Sequence, residues 1–319
     1  MSSNNITIFI ELPTWLGDAV MTTPAIENIL IHYKNAQLII FGSFVSTKLF
    51  LHHPKVKRII IDDSKKEGFR YKNLFSYAKE IGKVDIAFSF RKNFTTKFLL
   101  YFINASSKYI YKRYDSKKDK HQVIRYNDFI NHSLNIELEV GDLKIYLPKE
   151  NRKNIKDKPI LGINAGATYG SAKRWYPKEF AKVAISLSDK YDIIIFGGPS
   201  EVDICKDIEN ELKLSNITNY KNLAGQTSVE ELILNISNLD LFITNDSGPM
   251  HIAAAFKIKT VSIFGPTRYK ETNQWNNPNE ILIRKDLDCS PCMKRACPLK
   301  VDTHKCMKLI TSKDVLERL

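Results

Sequence analysis

The chain has 319 residues, about twice the length of a typical domain, so two domains are expected. Hydrophobic residues make up 43% of the sequence, which lets each half bury a core and excludes a largely disordered chain. The formal net charge of +13 favours anionic partners, but charge alone does not choose among nucleic acid, phosphates and anionic lipid surfaces.

The first half alternates strand-like and helix-like stretches. β-branched runs predict strands at residues 7–12, 37–41, 58–61 and 84–90, and an amphipathic stretch predicts a helix over 19–33. This alternation is typical of βαβ units on a parallel sheet. No positively charged leader precedes the first strand, and no apolar stretch approaches the roughly 18 residues of a membrane span. We therefore expect a cytoplasmic protein with only peripheral membrane contact.

A polar, charge-rich linker is predicted at residues 149–158, with the domain boundary between 152 and 153. The alternation then repeats. The predicted strands are residues 160–164, 192–196, 239–244 and 260–264, and the predicted helices are 178–187, 201–212, 229–236 and 251–256. The expected fold class is α/β, with two facing Rossmann-like lobes (1–152 and 153–319) and a central cleft. Ligands of such sheets bind beyond the carboxyl ends of the strands.

The first candidate site follows the first strand at residues 13–18, Pro-Thr-Trp-Leu-Gly-Asp. Asp18 can cap the helix that follows, and helix-capping statistics favour that role. The same carboxylate can instead act as a general base towards an acceptor hydroxyl.

Three loops of the second half are candidate ligand sites. Residues 164–177 combine glycines, hydroxyls and the cation Lys173 before a helix, which favours phosphate binding over a merely solvated loop. Glu201 opens a helix after residues 197–200, where stabilisation of that helix is the simpler interpretation. Residues 244–251 crowd polar groups between a strand and a helix, which favours binding of a pyrophosphate or ribose.

Signatures of other enzyme classes are missing from the sequence. No two glycines are spaced as Gly-x-Gly, and no Gly-Lys-Ser or Gly-Lys-Thr occurs, which disfavours dehydrogenases and P-loop kinases. Four cysteines lie near the end of the chain: Cys289, Cys292, Cys297 and Cys306. Their spacing leaves two interpretations open, a structural metal and reduced thiols packed under a loop.

In this order, the motifs resemble the ADP-heptose:lipopolysaccharide heptosyltransferases over nearly the whole chain. The resemblance implies a GT-B fold with an acceptor-binding N-terminal lobe and an ADP-heptose-binding C-terminal lobe. It also implies inverting transfer without a required metal. Residues 13–18 and the cysteine-rich end look more like the type II members, which add the second heptose to the first, than like type I.

The resemblance assigns roles to individual residues. Asp18 matches the catalytic aspartate, which deprotonates the attacking hydroxyl. Lys173 and Thr168 match positions that hold the diphosphate, and Lys173 also neutralises charge on the departing ADP. The remaining donor-binding matches are Glu201, Thr227, Asp246, Ser247, Gly248 and His251. Pro249 departs from the family pattern and is expected to reshape the start of its helix.

The basic excess then fits an acidic acceptor, a lipid A-Kdo-heptose type glycolipid at the cytoplasmic face of the inner membrane. A basic cluster in the first lobe is expected to receive its phosphates and acidic sugars; its members are Lys108, Lys112, Arg113, Lys117, Lys118, Lys120 and Arg125. The alternatives are heptosyltransferase I, another GT-B nucleotide-sugar enzyme and, outside enzymes, a basic nucleic-acid-binding protein. Only charge supports that last alternative, since no nucleic-acid-binding motif is evident, and nucleic acid is not an expected partner.

Overall fold

The chain folds as two compact units, Met1–Lys149 and Glu150–Leu319. The structure, a computed structural model, describes residues 6–66, 68–114, 119–148 and 157–319. Most of the predicted linker, residues 149–156, lies outside the described residues. Within the described ranges, no helix is both long enough and apolar enough to cross a membrane.

The first unit is a doubly wound α/β fold. Its strands are β1 (Ile6–Glu11), β2 (Ala36–Gly42), β3 (Val56–Ile61), β4 (Lys83–Ser89) and β5 (Asn104–Ile110). Its helices are α1 (Leu16–Met21), α2 (Thr23–His32), α3 (Phe44–Thr47), α4 (Arg70–Ile81), α5 (Phe94–Phe102) and α6 (Gln122–Leu134). The strands pair in parallel in the order β3-β2-β1-β4-β5. Strand order reverses between β1 and β4, and ligands of such sheets bind beyond the carboxyl ends of the strands at that point.

The single helix predicted over residues 19–33 is wrong, because two helices, α1 and α2, occupy this stretch. Pro24 has no amide hydrogen, so it cannot continue the hydrogen-bond ladder of α1. The hydroxyl of Thr23 donates instead to the carbonyl of Val20, at 2.8 Å. The chain therefore restarts as a new helix whose first turn contains the proline.

The second unit repeats the architecture with one more strand. Its strands are β6 (Ile160–Asn164), β7 (Asp192–Phe196), β8 (Tyr220–Asn222), β9 (Leu241–Asn245), β10 (Lys259–Ile263) and β11 (Glu280–Ile283). Its helices are α7 (Pro177–Leu187), α8 (Val202–Leu214), α9 (Val229–Ser237), α10 (Gly248–Ala255), α11 (Tyr269–Thr272), α12 (Lys305–Lys308) and α13 (Ser312–Leu316). The parallel order is β11-β10-β9-β6-β7-β8, so strand order reverses between β6 and β9.

The prediction of two parallel α/β units is confirmed by these sheets. The strands at the switch points are buried on both faces: Ile8, Phe9 and Ile10 of β1 are inaccessible to solvent, as are Phe242 and Ile243 of β9. Such continuous apolar strands are what a sheet covered by helices on both sides requires.

The basic cluster predicted for the first unit is not one surface. Arg125 lies in α6 and is only 2% exposed, so its side chain is not available to receive the phosphates or acidic sugars of an acceptor. Lys120 pairs with Asp128, and Lys112 lies 5.7 Å from the ring centre of Tyr114. Lys117 and Lys118 lie outside the described residues.

Candidate functional site

Asp18 lies beyond the carboxyl end of β1, in the first turn of α1. That helix begins after Trp15, so Asp18 occupies the third helical position and the helix-capping interpretation is wrong. The side chain is half-buried, and its charge is the second cause, after burial, that holds the pKa of Tyr126 well above the ordinary value. A carboxylate at this position is favoured by the positive end of the helix dipole.

A buried polar network that the sequence reasoning missed lies at the switch point of the first sheet. Glu11, the last residue of β1, accepts hydrogen bonds from the hydroxyls of Ser89 (2.6 Å) and Thr96 (3.1 Å). Arg91 lies 3.2 Å from Glu11 and 3.7 Å from Asp62. Burial raises the pKa of Glu11, and Arg91 opposes that rise. The sequence signal for this network is Glu11 itself, a charged residue at the end of an otherwise apolar strand.

In the second unit, asparagine side chains join the loops after β6 and β9. The Nδ2 of Asn245 donates to the carbonyl of Ala165 at 2.7 Å, and its Oδ1 accepts from the amide of Trp175 at 2.9 Å. Asn164 donates to the hydroxyls of Thr244 and Ser247, both at 3.2 Å. The sequence predicted both loops as candidate ligand sites, but it did not predict these contacts. The contacts hold the two loops together at the switch point.

Lys173 and Asp246 form the charged centre of this switch point. The Nζ of Lys173 lies 2.5 Å from the Oδ2 of Asp246, which also accepts a hydrogen bond from Thr267 at 2.6 Å. The pair is nearly inaccessible, with side-chain exposures of 12% and 4%. The Lys173 ammonium also lies 4.8 Å from the ring centre of Tyr169. A cation held in this way is a fixed electrostatic partner for a phosphate.

Glu201 reaches the same region from the loop after β7. Its carboxylate lies against Gly166, where a Cβ atom would overlap the carboxylate itself. One oxygen, Oε2, accepts the amide of Gly198 at 2.9 Å. The other oxygen, Oε1, is buried with no hydrogen-bond partner among the described residues. A buried acceptor without a donor is costly, so this oxygen is suited to a ligand hydroxyl or amine.

The helix α10 starts at the same edge. Ser247 precedes it, Gly248 is its first residue, and Pro249 takes a first-turn position that tolerates proline. His251 follows in the first turn and is buried. Pro249 has no amide hydrogen, and the amide of Met250 donates to the carbonyl of Ser247 at 3.2 Å, so it is the positive end of the helix dipole that makes this start favourable for an anion.

The remaining predicted residues are less closely joined to this site. Thr168 is exposed on the loop after β6, and Thr227 is half-buried directly before Ser228, which caps α9. Neither makes a hydrogen bond to another predicted site residue in the part of the chain that the structure describes.

The cysteine-rich segment braces the loop that carries Lys173. The amide of Ala172 donates to the carbonyl of Arg295 at 3.0 Å, and the side chain of His304 contacts both Tyr176 and the carbonyl of Ala172 at 2.9 Å. All five cysteines are free thiols. Burial, and then the neighbouring Cys289, Cys292 and Cys297, raises the pKa of Cys306 to about 11. Among the described residues, no group of three or more His, Cys, Asp or Glu side chains is placed to hold a metal ion, so the structural-metal interpretation is not supported.

A family model and full-length relatives match this chain. The model of glycosyltransferase family 9 (heptosyltransferase) matches residues 99–302. Lipooligosaccharide heptosyltransferase 2 of Campylobacter jejuni serotype O:2 is 47% identical over 315 residues, covering 98% of this chain and 96% of the relative. The chain belongs to glycosyltransferase family 9. It is therefore a glycosyltransferase, as the resemblance implied.

Solved structures of similar fold cover both units. The Escherichia coli ADP-heptose lps heptosyltransferase II matches with a TM-score of 0.79 at 20% identity, covering 98% of this chain and 97% of that one. A family 9 glycosyltransferase from Veillonella parvula matches with a TM-score of 0.81 at 22% identity, covering 99% and 97%. The GT-B fold class predicted for this family 9 member is thereby confirmed.

Proposed function

We propose that this glycosyltransferase moves a heptose from ADP-heptose onto the first heptose of the lipopolysaccharide inner core. The observation that carries the proposal is the 47% identity, along nearly the whole chain, to a lipooligosaccharide heptosyltransferase 2. A second match at 47% identity has the same name. In this proposal the first unit binds the acceptor glycolipid and the second binds ADP-heptose.

The second-unit side chains suit the donor. The diphosphate is bound by Lys173, Thr168 and the positive end of α10, with Asp246, Ser247, Gly248 and His251 around the phosphates and sugar. The partnerless oxygen of Glu201 accepts a hydroxyl of the nucleoside. Thr227 completes the nucleotide pocket. ADP-heptose is a substrate in this scheme, and no resident metal or cofactor is required.

The chemistry is a direct displacement. Asp18 accepts the proton of the acceptor hydroxyl while the oxygen of that hydroxyl bonds to the anomeric carbon of the heptose. The bond from that carbon to the phosphate oxygen breaks, with inversion, and the electron pair leaves with ADP. Lys173 and the positive end of the α10 dipole stabilise the charge that develops on the departing diphosphate. Lys173 is held for this role by Asp246.

The test is ADP release from ADP-heptose with acceptors that carry no heptose or one heptose. We expect turnover with the one-heptose acceptor and about a 10²- to 10⁴-fold loss of turnover in Asp18→Asn, with ADP affinity retained. Asp203→Asn is the matched control, because Asp203 is also a first-turn aspartate, on α8, and should keep wild-type turnover. Turnover only with the heptose-free acceptor would instead assign the type I reaction. ADP binding without turnover on either acceptor would remove the substrate assignment.

This function needs the protein at a membrane that carries the acceptor. We therefore also propose a cytoplasmic location with peripheral attachment at the inner membrane and no nucleic-acid partner. Strong, salt-dependent binding to duplex DNA in the absence of donor binding would contradict this view.

A further inference from the structure

Helix α5 presents an unusual outer face. Its aliphatic residues Leu99 and Leu100 are buried against the sheet, whereas Phe94 and Tyr101 are 68% and 77% exposed. Phe98 lies on the same side of the helix, four residues after Phe94 and three before Tyr101. The helix therefore carries a stripe of three aromatic rings, of which Phe94 and Tyr101 face solvent and Phe98 between them is half-buried against the core.

Neighbouring residues extend this stripe into a continuous surface, which we call the aromatic ridge. Its rings are Phe69, Tyr71, Phe75, Phe94, Phe98, Tyr101 and Phe102. Ring centres of successive members lie 4.9–6.1 Å apart, so the ridge runs unbroken from the start of α4 to the end of α5. Phe69 at the start of α4 is itself 69% exposed. Four of the seven rings are exposed, Phe69, Phe94, Tyr101 and Phe102, whereas the other three are half-buried. A cluster of exposed aromatic rings on a folded protein is typical of an interaction site.

Lysines border the ridge. Lys97 is exposed on α5 between Phe94 and Tyr101, and the Nζ of Lys108 donates to the carbonyl of Tyr101 at 3.1 Å. On α4, the Nζ of Lys79 lies 4.5 Å from the ring centre of Phe75, and Lys72 is exposed next to Tyr71. Helix α5 contains no acidic residue, and α4 contains only Glu80. The ridge is therefore apolar at its centre and positive at its border.

We propose that the aromatic ridge is the surface by which the first unit docks on a bilayer that contains anionic lipids. Aromatic rings favour the headgroup level of a bilayer, and lysines beside them keep their ammonium groups in water near the lipid phosphates. A folded protein partner would not need a cationic border around aromatic rings, whereas an anionic bilayer uses both features. This surface differs from the predicted basic cluster, with which it shares only Lys108. It goes beyond the proposed transfer reaction, because it requires no contact with donor or acceptor.

The test uses the full-length protein and sedimentation with vesicles that contain no glycolipid. Vesicles of phosphatidylcholine alone are compared with equimolar phosphatidylcholine and phosphatidylglycerol. We expect binding to the anionic vesicles, about a tenfold or greater loss in the double variant Phe94→Ser/Tyr101→Ser, and a loss at low salt in Lys72→Gln/Lys97→Gln. Ile31→Ser/Leu214→Ser is the matched control, since these side chains are 56% and 80% exposed and belong to other helices, α2 and α8, and it should bind as wild type does.

Two outcomes would overturn the proposal: no wild-type binding to anionic vesicles, or equal binding by the aromatic variant. Self-association in lipid-free solution that the aromatic variant abolishes would assign the ridge to a second copy of the chain instead. ADP release with a water-soluble acceptor fragment separates this proposal from the transfer reaction. The aromatic variant should keep that activity. If the wild-type protein lacks it, the proposed substrate is wrong, and the vesicle result still tests the ridge.

Discussion

Gly166 is the residue whose lack of a side chain shapes the second-unit site most directly. The Glu201 carboxylate occupies the space where a Cβ atom of residue 166 would lie. Gly166 has no positive φ, so it is needed for close approach and not for a left-handed backbone. A larger residue must therefore displace the carboxylate.

This packing predicts that Gly166→Ala acts through Glu201. We expect Gly166→Ala and Glu201→Ala each to weaken ADP binding by about tenfold to a hundredfold, because a charge-assisted hydrogen bond is lost. The double variant should be little worse than either single variant, since both remove the same contact. Isothermal titration of ADP measures all three. Gly141→Ala is the control, because no atom lies within 4 Å of its added Cβ. Additive losses in the double variant would show that Gly166 acts independently of Glu201.

Residue roles differ in how far sequence reveals them. Lys173 and Asp246 stand in polar loops after apolar strands, so the pattern alone nominated them. The partnerless oxygen of Glu201 depends on a glycine 35 positions earlier in the chain, which no local pattern reports. Arg125 misled the prediction for the same reason: it looks like a surface cation in sequence, yet α6 turns it inward.

At the scale of elements, Glu11 joins β1 to its neighbours. Its carboxylate holds Ser89 at the end of β4, Thr96 in α5 and Arg91 between them. The network thus fixes the carboxyl ends of the two switch-point strands beside the loop that carries Asp18. Its cost is that a carboxylate is taken out of water.

That cost predicts a pH dependence of stability. The folded-state pKa of Glu11 is raised above 4.5, chiefly by burial. The contribution of Glu11 to the free energy of unfolding is therefore fully present below pH 4.5 and is lost as pH rises through the folded-state pKa. Glutamine imitates the protonated form at every pH. The difference in Tm between Glu11→Gln and wild type should therefore shift in favour of the variant as pH rises from about 4 to about 8, apart from a constant offset. A thermal melt series measures it. If the Tm difference instead shifted in favour of wild type as pH rises, Arg91 would lower the pKa of Glu11 by more than burial raises it.

Element boundaries were predictable where burial was continuous. The predicted β6 and β7 coincide with the observed Ile160–Asn164 and Asp192–Phe196, because both are apolar runs bounded by polar residues. Strand β5, Asn104–Ile110, was missed because it is an edge strand of largely polar sequence. The break between α1 and α2 was also missed, although Pro24 was a usable signal.

At the scale of the whole molecule, two sheets with equivalent strand orders are joined in one chain. Periodicity indicates which residues are buried but not which strands are neighbours, so the orders β3-β2-β1-β4-β5 and β11-β10-β9-β6-β7-β8 came only from the structure. Asp18 in the first unit and Lys173 and Asp246 in the second lie beyond the carboxyl ends of the switch-point strands. The first unit offers a carboxylate there, whereas the second offers a cation and the positive end of a helix.

This division of chemistry predicts a division of ligand response. ADP is anionic, so it should bind beside Lys173 and the start of α10 and should slow amide hydrogen exchange most in peptides that cover residues 164–175, 197–202 and 245–251. Peptides that cover residues 11–18 should change little, because this segment contains no cation to attract ADP. Exchange mass spectrometry of the full chain, with and without ADP, measures both sets. Glu201→Ala should lose the protection at equal ADP concentration, whereas Asp18→Asn should keep it, since that residue acts on the acceptor hydroxyl. If ADP instead protected residues 11–18 most strongly, the assignment of donor and acceptor to the two units would be reversed.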